Sequence, residues 1–480
     1  MSRALDAVAH LLVRADNPPR DIDGMDHERC AALHNAILKH GWVSHGLDEN
    51  DFIQQSRPWL ESNYREGDED EFDPSVLAFL SKARELPSNH PVHFFYNAWG
   101  LNIETGCHEG LFPGSDAIIQ LYGTYMEMCS QPDGLMYLNT SPEALVLTDR
   151  YRSYNQHTHT AIMHFDETDE LEEDQPWQKL ESILTVWIEM IQRQKIIAIS
   201  ADTGELRFDD TGEIMGPERD PVTGARRNTG EQDPWIIAPW TLKDLEESLD
   251  LWRMIVESIE QKMGISQAEN AERLLDMATL DAARIPNGFA RRFLSQAQRP
   301  RFKFIAPGLR VPTAEEFVAQ PFIDASMNLG DQDHIPCILL LRSEGTVSKA
   351  LLSHVRPNTS MAYIPCGLYL PPCDRTYRYP QEDGCSLVLP FALTSGHAKR
   401  SDFTPVDTPD SLLQPGVNPY NDIHPVQLQA FLETVYLNLQ RGNWDVDHDG
   451  VAGGIDVWKA ADTEQGWQSY FVELGPGRYW

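Results

Sequence analysis

Apolar residues recur at three- and four-residue spacing in several stretches of the chain, the mark of helices that bury one face. Behind Asp26, whose carboxylate suits the open amides of a helix start, Cys30, Leu33 and Ile37 line up, and Gly41 marks an end. Residues 74–86 predict another short helix. Leu180, Leu184, Trp187, Ile188 and Ile191 form one stripe over 176–194. The strongest helix signal starts at Thr241, with Asp244 at the reciprocal capping position and Leu245, Leu249, Trp252, Val256 and Ile259 along the buried face. Gly264 ends it. Ser266 and Glu269 repeat the capping pattern ahead of Leu274 and Leu275, which predicts a second helix packed on the first. A final helix is predicted over about 425–440, burying Leu428, Phe431, Leu432, Val435 and Leu439.

Between these helices the period shortens. His93–Tyr96, Leu135–Leu138, Ala144–Leu147 and Thr158–Phe165 predict strands, with a turn at Asn139–Pro142. Two Asp-Thr-Gly-Glu units, at 202–205 and 210–213, predict tight turns between short strands. They are flanked by charge and lie too close together to serve the two lobes of an aspartic protease. The stretches 65–73 and 166–174 and the polar segment before Asp233 predict solvated loops. After residue 300, short apolar runs such as Ile335–Leu341 and Ser386–Leu389 alternate with Pro307-Gly308, Pro371-Pro372 and Pro415-Gly416. Together these elements predict an α+β protein: mixed sheets, several long amphipathic helices and a C-terminal EF-hand-like helix-loop-helix. Three regions are expected: 1–150, mixed helix and strand; 151–300, rich in helix; and 301–480, rich in strand and proline, ending in the acidic loop.

Composition narrows the function classes. The 480 residues suffice for a substantial core, and 12 tryptophans argue against wholesale disorder. With 73 acidic residues against 39 basic ones, the formal charge is -34, which repels nucleic acid and anionic lipid surfaces. No apolar run reaches the length of a membrane span, and the first residues lack the uninterrupted apolar core of a secretory signal. Seven cysteines, an odd number, suit free buried thiols in a reducing, cytoplasmic setting. The expected partner is a small-molecule ligand; the sequence does not fix the oligomeric state.

The clearest chemistry lies at Asp445-Val446-Asp447-His448-Asp449-Gly450-Val451-Ala452-Gly453-Gly454-Ile455-Asp456. Hard divalent cations prefer clustered oxygens. Carboxylates at positions 1, 3, 5 and 12, a turn glycine at position 6 and the Val451 carbonyl at position 7 match an EF-hand calcium loop. The sequence departs from that layout in two places. The closing residue is the shorter Asp456 rather than glutamate, and position 8 is Ala452. No second loop of this kind occurs, so a structural clasp holding calcium or another divalent cation is the expected role.

A second cluster is Asn155-Gln-His157-Thr-His159-Thr-Ala-Ile-Met-His164-Phe-Asp166. In an extended strand His164 and Asp166 share a face, while His157 and His159 share the other. The His164-x-Asp166 spacing resembles the His-x-Asp element of non-haem iron oxygenases. That resemblance covers only this short element. It implies Fe(II) held by His164, Asp166 and a distant histidine (His334, His354 or His397), with Arg356 or Arg400 holding a cosubstrate carboxylate. Zinc is the alternative metal, and His157 and His159 are the candidate catalytic groups. Cys366, Cys373 and Cys385 with His397 lack the tight spacing of a structural zinc knuckle. His108-Glu109 is not part of a His-Glu-x-x-His helix, and there is neither a phosphate-cradling glycine loop nor a Gly-x-Ser-x-Gly elbow. The expectation is a metal-dependent enzyme acting on a small organic molecule, in an oxidative reaction. Its rivals are a non-catalytic calcium-binding scaffold and a metal-independent acid/base lyase or cyclase.

Overall fold

The computed structural model of the chain describes residues 3–63, 72–87, 90, 92–96, 98–104, 118–124, 134–138, 143–147, 178–200, 205–208, 214–218, 234–266, 272–322, 334–355, 357, 359–375, 381–416, 418, 420 and 425–479. Helices and mixed sheets share these residues, which is the α+β class. Among them no helix is long and apolar enough to cross a membrane.

Helix α1 (His27–Ser44) begins where expected, with the Asp26 carboxylate accepting from the Arg29 amide. It packs against α2 (Leu180–Gln192), whose predicted stripe is buried along with most of its remaining surface. A helix this apolar belongs in an interior. It lies beside an antiparallel meander of β1 (Ala98–Glu104), β2 (Ile118–Thr124), β3 (Gly134–Leu138), β4 (Glu143–Leu147) and β5 (Gln178–Lys179), ordered as numbered. The strand predicted at 93–96 is not one: only a single bridge joins Phe95 to Ala98. Phe94 and Phe95 are both buried, and neighbouring side chains cannot share one face of a regular strand. Phe94 stacks on Tyr122 and Phe95 on Trp187 instead.

The second half opens with α3 (Leu242–Lys262), where Thr241 and Asp244 exchange reciprocal capping bonds of 3.1 Å each. The start predicted at Ser266 leads into 267–271, outside the described residues, and Leu274 and Leu275 are not helical. They bond instead to the Ala297 and Leu294 carbonyls, and a short α4 (Met277–Ala282) begins at Asp276, whose carboxylate accepts from Thr279 at 2.7 Å. Accordingly, the main partner of α3 is the final helix α5 (Leu428–Gln440). The large sheet contains β6 (Phe304–Ala306), β7 (Leu309–Arg310), β8 (Ile338–Ser348), β9 (Tyr363–Leu370), β10 (Ser386–Val388), β11 (Val446–Asp447) and β12 (Gly450–Val451). Its order is β10-β9-β8-β7-β6-β12-β11, antiparallel except for Phe304 beside Gly450. The Pro307-Gly308 turn links β6 to β7, with Gly308 at φ +68°.

Core residues gather into two main clusters. One runs from Leu5 to Ile237 and includes Tyr420. The other runs from Trp240 to Val472, with Leu474 and Tyr479 packed against it. Between them, Lys195 is fully buried, its Nζ 3.0 Å from Asp383 Oδ1 and 3.3 Å from the Pro239 carbonyl. Asp383 also accepts from Gln427 at 3.2 Å. Burial, and then the Asp383 charge, push the Asp244 carboxyl above its ordinary range.

Candidate functional site

The acidic loop hangs between two rigid supports. At its entry, Trp444 is buried, packs on Trp458 with ring centroids 5.4 Å apart and donates Nε1–H to Tyr470 Oη. Trp458 donates its own indole N–H to the Pro307 carbonyl at 2.9 Å. The loop then turns back on itself. β11 and β12 pair as a hairpin, and the Ala452 amide donates to the Asp445 carbonyl at 2.9 Å. At the tip, Asp447 Oδ1 accepts from the Asp449 amide at 2.8 Å. The second support is β6: the Lys303 and Phe304 amides both donate to the Asp449 carbonyl, at 2.8 and 3.0 Å. Gly450 has φ +113°, and a Cβ there would lie 2.4 Å from the Phe304 carbonyl oxygen. Both the backbone angle and the space demand glycine.

The acids themselves face water and lysines. Lys303 Nζ lies 3.0 and 3.3 Å from the two Asp449 oxygens. Lys459 Nζ lies 2.6 Å from Asp456 Oδ1 and sits over the Phe391 ring. Asp445 and Asp447 are exposed, whereas Val451 is buried in the larger core. Downstream the chain enters a 3₁₀ helix, Ile455–Asp462. Among the described residues, no three His, Cys, Asp or Glu side chains are grouped so that they could hold a metal ion. The hairpin thus collects the predicted acids within one short segment without converging their oxygens on a point.

His157, His159, His164, Asp166 and Arg356 lie outside the described residues. Arg400 is described. Its Nε donates to Thr404 Oγ1 at 2.9 Å and its Nη1 lies 3.7 Å from Asp407. The backbone contacts of the three proposed distant histidines differ. His334 pairs through its backbone with Asp374. The His354 and His397 amides serve two different buried aspartates.

Those aspartates escaped the sequence reading. Asp410, fully buried, accepts from the amides of Ser353, His354 and Val355 at 3.1, 2.7 and 2.7 Å and from the Thr408 hydroxyl at 2.8 Å. Asp462 accepts from Ser395, His397 and Ala398 at 2.6, 2.9 and 2.9 Å. Burial would raise the Asp462 carboxyl, but these three amides outweigh it and hold the group below its ordinary value. Each carboxylate ties distant loops together. The only local hint was Thr408-Pro-Asp410, a turn-forming sequence.

Two buried titratable groups on α1, His34 and Cys30, are likewise occupied. His34 stacks on Phe94 at 4.4 Å, and its two nitrogens lie 2.8 Å from Tyr122 Oη and 2.8 Å from the Arg84 carbonyl. The carbonyl can only accept, so Nε2 carries the hydrogen and Nδ1 accepts from the tyrosine. Burial drops the His34 pKa to about 4. A neutral imidazole with both nitrogens engaged has nothing left for a metal or substrate. The Cys30 thiol points at Glu181 from 3.7 Å and is pushed well above its ordinary range by burial, which suits an inert core thiol. Cys337, Cys366, Cys373 and Cys385 are also free and buried.

No family model matches the chain, and neither a curated protein nor a solved structure matches it.

Proposed function

We propose that the chain is a cation-stabilised scaffold in which Asp445, Asp447, Asp449, Asp456 and the Val451 carbonyl take calcium or another hard divalent cation, an EF-hand-like helix-loop-helix being the bound form. The observation that carries this reading is the acidic hairpin itself. Three alternate aspartates stand on a turn whose backbone is fixed to Phe304 on one side and to the Trp444–Trp458–Tyr470 cluster on the other. The backbone therefore needs little ordering when an ion arrives, and the Asp445, Asp447 and Asp456 side chains are exposed. Lys303 and Lys459 are the internal counter-ions that a divalent cation would displace.

The test is thermal unfolding of the full chain with and without calcium. A ligand that binds only the folded state at a hundred times its Kd stabilises by about 2.7 kcal/mol, so the midpoint rises. Asp445→Ala/Asp447→Ala removes that rise. A wild-type midpoint indifferent to millimolar calcium overturns the reading.

The rival is a metal-dependent enzyme for a small organic substrate, with Fe(II) or zinc on His164 and Asp166 and with His157 and His159 as catalytic groups. All four residues lie outside the described set, as does Arg356, and Arg400 is committed to Thr404 and Asp407. No described residue favours this rival.

A further inference from the structure

Residues 472–479 belong to the C-terminal core yet reach across to the other one. Val472 is buried, and Tyr479 packs on the C-terminal core while donating its hydroxyl hydrogen to Glu433 Oε2 on α5 at 3.0 Å. Arg478 lies 3.7 Å from the same glutamate. The segment is folded on itself: the Arg478 amide donates to the Gly475 carbonyl at 2.9 Å, and the Gly475 amide to Tyr479 at 3.0 Å. From this compact turn two groups cross the seam. The Gly477 amide donates to both carboxylate oxygens of Glu189 on α2, at 3.1 and 2.9 Å. Leu474 packs against both cores. A Cβ at Gly475 would lie 3.4 Å from the Tyr420 hydroxyl, which donates to Gln178 in β5 at 2.9 Å.

We infer that residues 472–479 act as a strap that locks the two cores together, so that the N-terminal core opens on its own only once the strap is released from Glu189. Other crossing contacts are the buried Lys195–Asp383 pair and the partly buried Arg193, which meets Glu247 on α3 at 2.9 and 3.1 Å and Asp244 at 3.3 Å. The strap differs from these in placement: Gly477 and its contact with Glu189 lie at the surface, where a local fluctuation can break it first.

Hydrogen–deuterium exchange on the full chain, read by mass spectrometry over peptides from α1, α2, α3 and α5, tests this. In the wild type, slow amides of both cores exchange through one shared opening. In Glu189→Ala/Leu474→Ala, α1 and α2 amides are expected to exchange about tenfold faster or more while α3 and α5 keep their rates. Glu189→Gln keeps the size and one acceptor oxygen; it is expected to accelerate α1 and α2 by about threefold, and it carries the test if the double variant does not fold. Unchanged exchange in α1 and α2, or equal acceleration in all four helices, overturns the strap.

Discussion

Replacing Lys195 with methionine probes the buried ion pair between the cores. The ammonium is fully buried, 3.0 Å from Asp383 Oδ1, and Asp244 stands near enough to feel both charges. Methionine fills most of the same volume, so packing is largely kept, while Asp383 loses its cation in a site with almost no exposure. Breaking a buried pair by removing one partner costs about 3–5 kcal/mol, because the charge left behind is uncompensated. Protonation of Asp244, already favoured by burial, limits the loss toward the lower end. Asp383→Asn should cost a similar amount by stranding the ammonium. Since both variants break one interaction, the double variant should be less destabilised than their sum, with a coupling energy of about 2–3 kcal/mol. Urea unfolding followed by tryptophan fluorescence measures all four corners of the cycle. Single-variant losses under about 1 kcal/mol, or strict additivity, would refute the claim that this pair is a buried, mutually dependent contact.

Three further outcomes follow from particular geometries. Gly450→Ala places a Cβ against the Phe304 carbonyl and forces a left-handed backbone on alanine, so a loss of about 2–4 kcal/mol is expected; an unchanged melting temperature would contradict it. Asp410→Ala strands three amides, that of Val355 fully buried, and should cost about 3 kcal/mol in urea unfolding, with a loss below about 1 kcal/mol the contrary result. His34 has a folded pKa of about 4, so between that value and 6.5 the unfolded chain binds a proton that the folded one does not. Stability is therefore lost as pH falls through this window, by about 3 kcal/mol for this group. His34→Gln should flatten the stability–pH slope there by about one proton, and an unaltered slope would contradict the assignment.

Local signals in the sequence carried much of this fold. The Asp26 cap, the Thr241–Asp244 box and the apolar stripes of α1, α2, α3 and α5 depend on residues within a turn or two of each other, so they are legible from spacing alone. Leu135–Leu138 and Ala144–Leu147 fall inside β3 and β4 for the same reason. The start at Ser266 leads outside the described residues, and the apolar pair Leu274–Leu275, expected in a helix, bonds instead to carbonyls of the segment near Gln296. Long-range pairings left no local trace. Lys195 meets Asp383 across 188 positions, and Lys303 meets Asp449 across 146. The acidic loop shows both sides of this. Its alternation of acids and glycine was plain, but its capture by β6 as the edge of a sheet depends on Phe304, which no motif connects to it. Asp410 and Asp462 were passed over because a lone aspartate in a turn looks like a solvated group until the amides it gathers are known.

Isothermal titration of the intact chain with calcium bears most directly on the cation-stabilised loop. The expected result is one site per chain whose binding heat vanishes in Asp445→Ala/Asp447→Ala. No heat in the wild type, or heat that persists undiminished in that variant, would contradict the assignment of the loop as a cation site.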